Sequence, residues 1–184
     1  MPDRSSERAT RPSVAVAGVA LSDWSCFART GLRGGSAAFL ARAGLAMPAE
    51  PNQASRNDAG ILVARLGASE VLVLAPGRRE PLDPAYAMDG DPDGDIVPLP
   101  RAFGTCWLHL AGGRSAEILS MVCGVDLRPH RFPDLGVAQT VVARVNATIV
   151  RDDAGQVPAA FHLIADWTYG PYLWAALADA VTQG

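Results

Sequence analysis

At 184 residues the chain has room for one large domain or two small intertwined ones, and for a real core. A composition that is 49% hydrophobic and 19% charged excludes a disordered chain, and a net charge of −3 with scattered arginines and no basic run excludes a nucleic-acid binder. Cys26, Cys106 and Cys123 are an odd number at long spacings without C-x-x-C, which fits neither a disulfide framework nor a zinc site and points to a reducing cytoplasm.

The Arg/Ser-rich start, 1–13, reads as a flexible tail leading into a first strand. The apolar run Val14 to Leu21 is far shorter than the ~20 residues of a membrane span. An offset of about 80 residues then relates two halves of the chain. In the first, Cys26-Phe27-Ala28-Arg29 leads to Gly34-Gly35-Ser36, a short helical pattern with Phe39 and Leu40, and a stop at Gly44. A strand at Leu62-Val63-Ala64-Arg65, a turn at Gly67-Ala68-Ser69 and a strand at Val71-Leu72-Val73-Leu74 complete it. Arg78 to Pro100, rich in Pro, Asp and Gly, reads as an exposed connection.

The second half repeats the plan. Cys106-Trp107-Leu108-His109 leads to Gly112-Gly113, Ser115, a helical pattern with Ile118 and Leu119, and Gly124. Val141-Val142-Ala143-Arg144 matches Leu62 to Arg65, and Phe161-His162-Leu163-Ile164 follows a turn at Asp152-Asp153-Ala154-Gly155. In both units glycine permits the tight turn, Ser36 or Ser115 is expected to cap the helix, and Gly44 or Gly124 to end it in a left-handed conformation. A last helix runs from about Tyr169 to Val181, capped by Thr168, with Pro171 in its first turn and Leu173, Trp174, Leu177 and Val181 as its apolar stripe. The expected fold is α+β: one unit, 14–184, of two related strand-helix-hairpin halves, 14–77 and 98–184, joined by 78–97.

No motif supplies chemistry. Asp89-Gly90-Asp91-Pro92-Asp93-Gly94-Asp95 opens like a calcium-binding EF-hand loop, but the twelfth position is Pro100 where a Glu is needed and the flanks lack a helical period, so it reads as a solvated acidic loop. His109, His130 and His162 stand at no metal-binding spacing. His109 and His162 fall inside strand patterns and read as hydrogen-bonded sheet histidines, and His130 follows Pro129 on a loop. Cys106 with His109 would need an orienting acid and an oxyanion donor to act as a nucleophilic pair, and the letters alone do not show either. Gly31 to Gly35 and Ala111 to Arg114 match neither a dinucleotide nor a P-loop pattern, and Asn146-Ala147-Thr148 is a glycosylation sequon by letter alone. The chain therefore offers no catalytic, cofactor-binding or metal residue. Trp24, Phe27, Trp107, Trp167, Tyr172 and Trp174 are anchors of the type found both in cores and at interface centres, with Trp107, Trp167, Tyr172 and Trp174 the candidate interface residues.

Several blocks carry a family resemblance: Leu108 to Gly112 with Ala116-Glu117-Ile118-Leu119, then Cys123-Gly124-Val125-Asp126-Leu127-Arg128-Pro129-His130-Arg131-Phe132-Pro133. Ala138-Gln139-Thr140, Ala143-Arg144-Val145, Phe161 to Ile164 and Tyr172-Leu173-Trp174 continue it, and Gly67 to Pro76 adds a thinner likeness in the first half. In order and spacing these resemble the gamma subunit of heterotetrameric sarcosine oxidase and its relatives in other N-methyl amino acid oxidoreductases. The chain departs from that family at Asp166-Trp167-Thr168, where a basic residue and Ser usually open the final helix.

The resemblance implies a reduced aminomethyltransferase (glycine cleavage T-protein)-like folate-binding fold. It also implies a non-catalytic, cytoplasmic subunit of a flavin-dependent complex that oxidatively demethylates sarcosine or a related N-methyl amino acid. FAD, FMN, NAD and tetrahydrofolate would then belong to the partners, the large (alpha) and flavin-bearing (beta) subunits, and none to this chain. The alternative is a stand-alone folate-binding one-carbon transferase or regulatory protein of the same fold, for which Asp126 is the best-placed acid.

Overall fold

The computed structural model describes residues 13–80, 82, 95–154 and 159–184. Its elements are β1 (Ser13–Val16), β2 (Val19–Asp23), β3 (Ala28–Gly34), α1 (Ser36–Arg42), β4 (Gln53–Arg56), β5 (Leu62–Arg65), β6 (Glu70–Ala75) and β7 (Ile96–Pro100) in the first part. Then come β8 (Thr105–Gly112), α2 (Ser115–Ser120), β9 (Val137–Val142), β10 (Val145–Arg151), β11 (Ala160–Asp166), a 3-10 turn (Trp167–Tyr169) and α3 (Gly170–Gln183). The strands form two antiparallel sheets, one ordered β1-β2-β8-β11-β10-β9 and the other β4-β5-β6-β3-β7. In one sheet β3, β4, β5 and β6 take the places that β8, β9, β10 and β11 take in the other, so the α+β repeat read from the sequence is a repeat of topology.

The strands that flank β3 and β8 are exchanged. β2 precedes β3 in the chain but pairs with β8, and β7 precedes β8 but pairs with β3. Each half thus completes the other's sheet. β7 takes in Ile96 to Pro100, which the sequence reading placed in the exposed connection; its two prolines suit an edge strand, where one row of N–H groups has no partner to meet. Of the acidic Asp89 to Asp95 motif, only Asp95 lies within the described residues.

The two crossing connections, 24–27 and 101–104, meet at Arg29, which is buried. Its Nε donates to Thr105 Oγ1 at 2.8 Å, its Nη1 to the carbonyls of Ser25 and Phe27 at 3.0 and 2.9 Å, and its Nη2 to the carbonyls of Ala102, at 2.8 Å, and Thr105. Only a planar fork reaches all of these at once. Arg29→Lys, which keeps the charge, should therefore cost about 2–4 kcal/mol in a urea unfolding measurement. A loss below about 0.5 kcal/mol, the size of an ordinary surface change, would show that the fork does not hold the crossovers together.

Alternation along the strands places three apolar layers. Leu62, Ala64, Leu72, Leu74, Trp107, Val137, Val150 and Ile164 meet between the sheets. Val63, Val71 and Val73, one residue out of phase, turn to the opposite face and pack with Leu32 and with Leu40 of α1. Cys106, Leu108, Leu110, Ile149, Phe161 and Leu163 turn outward from the other sheet onto Ile118 and Leu119 of α2 and Leu173, Leu177 and Val181 of α3. Because both faces of the central strands are covered, their sequences read as nearly unbroken apolar runs.

Local chemistry differs from expectation at several points. Ser36 and Ser115 are the first helical residues rather than caps: Gly35 and Arg114 stand at the cap positions without a side-chain bond, Ser36 Oγ donates to Gly34 O at 3.2 Å, and Ser115 Oγ is buried without a partner among the described residues. Gly44 does take a left-handed φ of 69°, whereas Gly124 does not. Asp166, not Thr168, opens the last helical segment, its carboxylate accepting from Thr168 N at 2.8 Å. Val141 to Arg144 is no counterpart of β5: Ala143 and Arg144, with φ of 46° and 69°, form the two-residue turn between β9 and β10. The counterpart is β10. Its apolar residues were visible, but a left-handed Ala-Arg pair gives no turn signal in the letters.

Candidate functional site

At one end of the space between the sheets the inner-face residues become polar. Register places Thr105, Asp166, Asn146 and Val141 side by side across β8, β11, β10 and β9, one pleat from Trp107, Ile164, Thr148 and Gln139. With Leu66, Glu70, Leu72 and Arg101 from the opposite side, these residues line an open groove of about 530 Å³. Glu70 is held there by two guanidiniums, Arg33 at 2.7 Å and Arg101 at 2.8 Å. Gln139 Nε2 donates to Leu66 O at 2.6 Å, bridging the sheets. Asn146 and Thr148 also line the groove.

The groove can hold a polar molecule or a polypeptide segment, but no acid and base are poised among the described residues that line it. Glu70 is committed to its arginines. Asp166 is exposed, and the Thr168 hydroxyl and N–H hold its carboxyl below the usual range. Cys106 lies on the other face of β8, and burial pushes its thiol up, which leaves it un-ionised and poorly nucleophilic. Asp126 is not among the groove's lining residues; it sits on a surface loop, where Arg128 binds its carboxylate at 2.6 Å and lowers its pKa. Among the described residues no group of three His, Cys, Asp or Glu side chains is placed to hold a metal ion.

Two of the three histidines lie deeper, away from the groove. His162 and His109 are directly opposed across β11 and β8, with ring centroids 5.0 Å apart. Trp107 Nε1 donates to His162 Nδ1 at 3.1 Å, and Trp24 stacks on His109 at 3.8 Å with the rings 12° from parallel. Both lie in strands as expected, but of the two only His162 accepts a hydrogen bond from the described residues, His109 being held by its ring contacts; the cross-strand pairing and the two indoles around it were not legible without register.

The candidate interface residues divide. Trp107 is 0% exposed, spanning the space between the sheets, and is a core residue of this chain rather than a surface one. Trp174 is half-buried against the core beneath α3. Trp167 and Tyr172 are 49% and 51% exposed, and they are joined by Tyr169 and by Phe103, at 88% exposure. Trp167 N donates to the carbonyl of Gly104, next to Phe103, at 3.1 Å, so the 101–104 connection meets the start of the last helical segment. Phe103 lies in a turn where an aromatic fits no strand or helix period, and that mismatch is the signal by which sequence reasoning could have found it.

No protein-family model matches the chain, and neither does any curated protein. Among solved structures, a chain of the heterotetrameric sarcosine oxidase from Corynebacterium sp. U-96, solved in complex with pyrrole 2-carboxylate, superposes with a TM-score of 0.76 over 93% of this chain and 88% of that one, at 22% identity. The two share one fold. The glycine cleavage system aminomethyltransferase T from Bartonella henselae matches with a TM-score of 0.62 and 15% identity over 93% of this chain, which spans 54% of that protein's length. The fold is thus aminomethyltransferase-like, in a reduced form of the size of the sarcosine oxidase chain, as the sequence resemblance implied for the fold. No helix among the described residues is long and apolar enough to cross a membrane.

Proposed function

We propose that this chain is a non-catalytic subunit of a multi-subunit, flavin-dependent oxidoreductase that oxidatively demethylates sarcosine or a related N-methyl amino acid. The observation that carries the reading is the match to nearly the whole of a sarcosine oxidase chain, against about half of an aminomethyltransferase. In this reading the chain assembles on the large alpha subunit beside the flavin-bearing beta subunit in the cytoplasm, and FAD, FMN, NAD and tetrahydrofolate are bound by those partners.

Trp167 and Tyr172, with Phe103 and Tyr169 beside them and Trp174 beneath, are the docking face. Asp166 and Arg101 are the charged residues that flank this surface in the chain, and no basic cluster accompanies it. An apolar protein face suits such a surface better than an anionic lipid or nucleic acid does. Co-expression with the alpha and beta subunits tests both points. The wild-type chain should enter the complex, and Trp167→Glu combined with Tyr172→Glu should weaken its entry at least about thirtyfold, as loss of an interface hot spot does. An unaffected double variant would move the docking face elsewhere, and a wild-type chain that never joins would end the subunit reading.

The groove favours one second reading, a stand-alone folate-binding one-carbon transferase or regulatory protein. Titration of the isolated chain with tetrahydrofolate, followed by tryptophan fluorescence, separates the two. Saturable tight quenching supports the second reading, and none supports the first.

A further inference from the structure

We propose that His109 and His162 form an acid-operated lock between the two sheets, closed while both imidazoles are neutral and released when they are protonated. The geometry demands neutrality. Trp107 Nε1–H donates to His162 Nδ1, so that nitrogen is an acceptor and the ring's proton sits on Nε2, facing Asp152 Oδ2 at 3.5 Å. A second proton would occupy Nδ1 and point at the indole N–H, turning a hydrogen bond into two opposed donors. If His109 were also charged, two imidazoliums would stand with ring centroids 5.0 Å apart under the Trp24 indole.

Asp152, just past the end of β10, is among the described residues the one facing group that would favour a charged His162. Its carboxylate is already paired with Arg56 of β4, which also lies 3.9 Å from Asp134. Asp153 is taken by Arg151 at 2.5 Å. From β2, the residue opposite His109 is the uncharged Ser22, and Trp24 and Trp107 contribute no charge. The chain Arg56–Asp152–His162–Trp107 thus runs from one sheet to the other with its only neutral ionisable member in the middle.

Burial works in the same direction, holding both imidazoles at about 3, with the neighbouring histidine adding to the effect at His109. Since the unfolded chain takes up these protons at about pH 6.5, stability is fully present above that value and falls as the pH drops toward the folded values.

Urea unfolding between about pH 7.5 and pH 5, above the carboxylate range, reads the lock. Below about pH 6.5 the unfolding constant should rise toward about a hundredfold per pH unit, two protons' worth, and His109→Gln should reduce this to about tenfold. Trp107→Phe removes the indole donor, so the ¹⁵N resonances of His162 should show a raised titration midpoint and a neutral ring no longer held as the Nε2–H tautomer, the second of which lost packing alone does not produce. Wild-type imidazoles titrating near pH 6.5, a pH dependence unchanged by His109→Gln, or a His162 midpoint unmoved in Trp107→Phe would each overturn the proposal.

Discussion

Gly112→Ala should destabilise the chain by about 4 kcal/mol or more, as should Gly34→Ala at the equivalent place in the other half, against a total stability of roughly 5–15 kcal/mol for a typical domain. Both glycines end the first strand of their repeat at positive φ, 140° and 116°, a region in which a side chain is strained. Both also lie against the exchanged strand: Gly112 pairs with Val19 of β2 and Gly34 with Ile96 of β7. A Cβ on Gly112 would overlap the Gly18 carbonyl oxygen, and one on Gly34 the Asp95 carbonyl oxygen, so backbone rather than a flexible side chain would have to move. Gly124→Ala is the control. Nothing lies within 4 Å of its added Cβ and its φ is not left-handed, so it should stay within about 0.5 kcal/mol. Urea midpoints of the three variants decide the matter, and equal losses at Gly112 and Gly124 would refute the exchanged-strand contact as the cause.

Trp107→Ala should cost about 3–5 kcal/mol in the isolated chain, the usual loss for a large aromatic cut from a core. The indole is fully buried, meets Trp24 and Phe27 edge-on at 5.8 and 6.2 Å, and donates to His162. Its removal opens a void between the sheets and leaves the His162 acceptor unmet. Trp167→Ala, at the surface, should shift the same urea midpoint by no more than about 0.5 kcal/mol. Similar losses at the two sites would mean that Trp167 is part of the core as well, and would remove it from the docking face.

The repeat was legible because its physical markers are letters: Gly-Gly after an apolar strand, a short helical period, then β-branched runs. Its exchange of flanking strands was not. β2 looks like any short strand before a turn, β7 reads as part of the Pro-rich connection, and nothing local records that Val19 pairs with Gly112 and Ile96 with Gly34. Arg29 reads as an ordinary arginine until the two crossovers close around it. The candidate surface was half legible, since composition selects large aromatics but only packing separates the buried Trp107 from the exposed Trp167. The groove depends on four strands in register, and so was out of reach of any local pattern.

Native purification of the tagged full chain from its own cells tests the subunit reading most directly. The chain should elute with two larger chains in a complex that carries flavin absorbance and oxidises sarcosine or a related N-methyl amino acid. Elution as a monodisperse monomer without a flavin-bearing chain, able to bind tetrahydrofolate by itself, would contradict it.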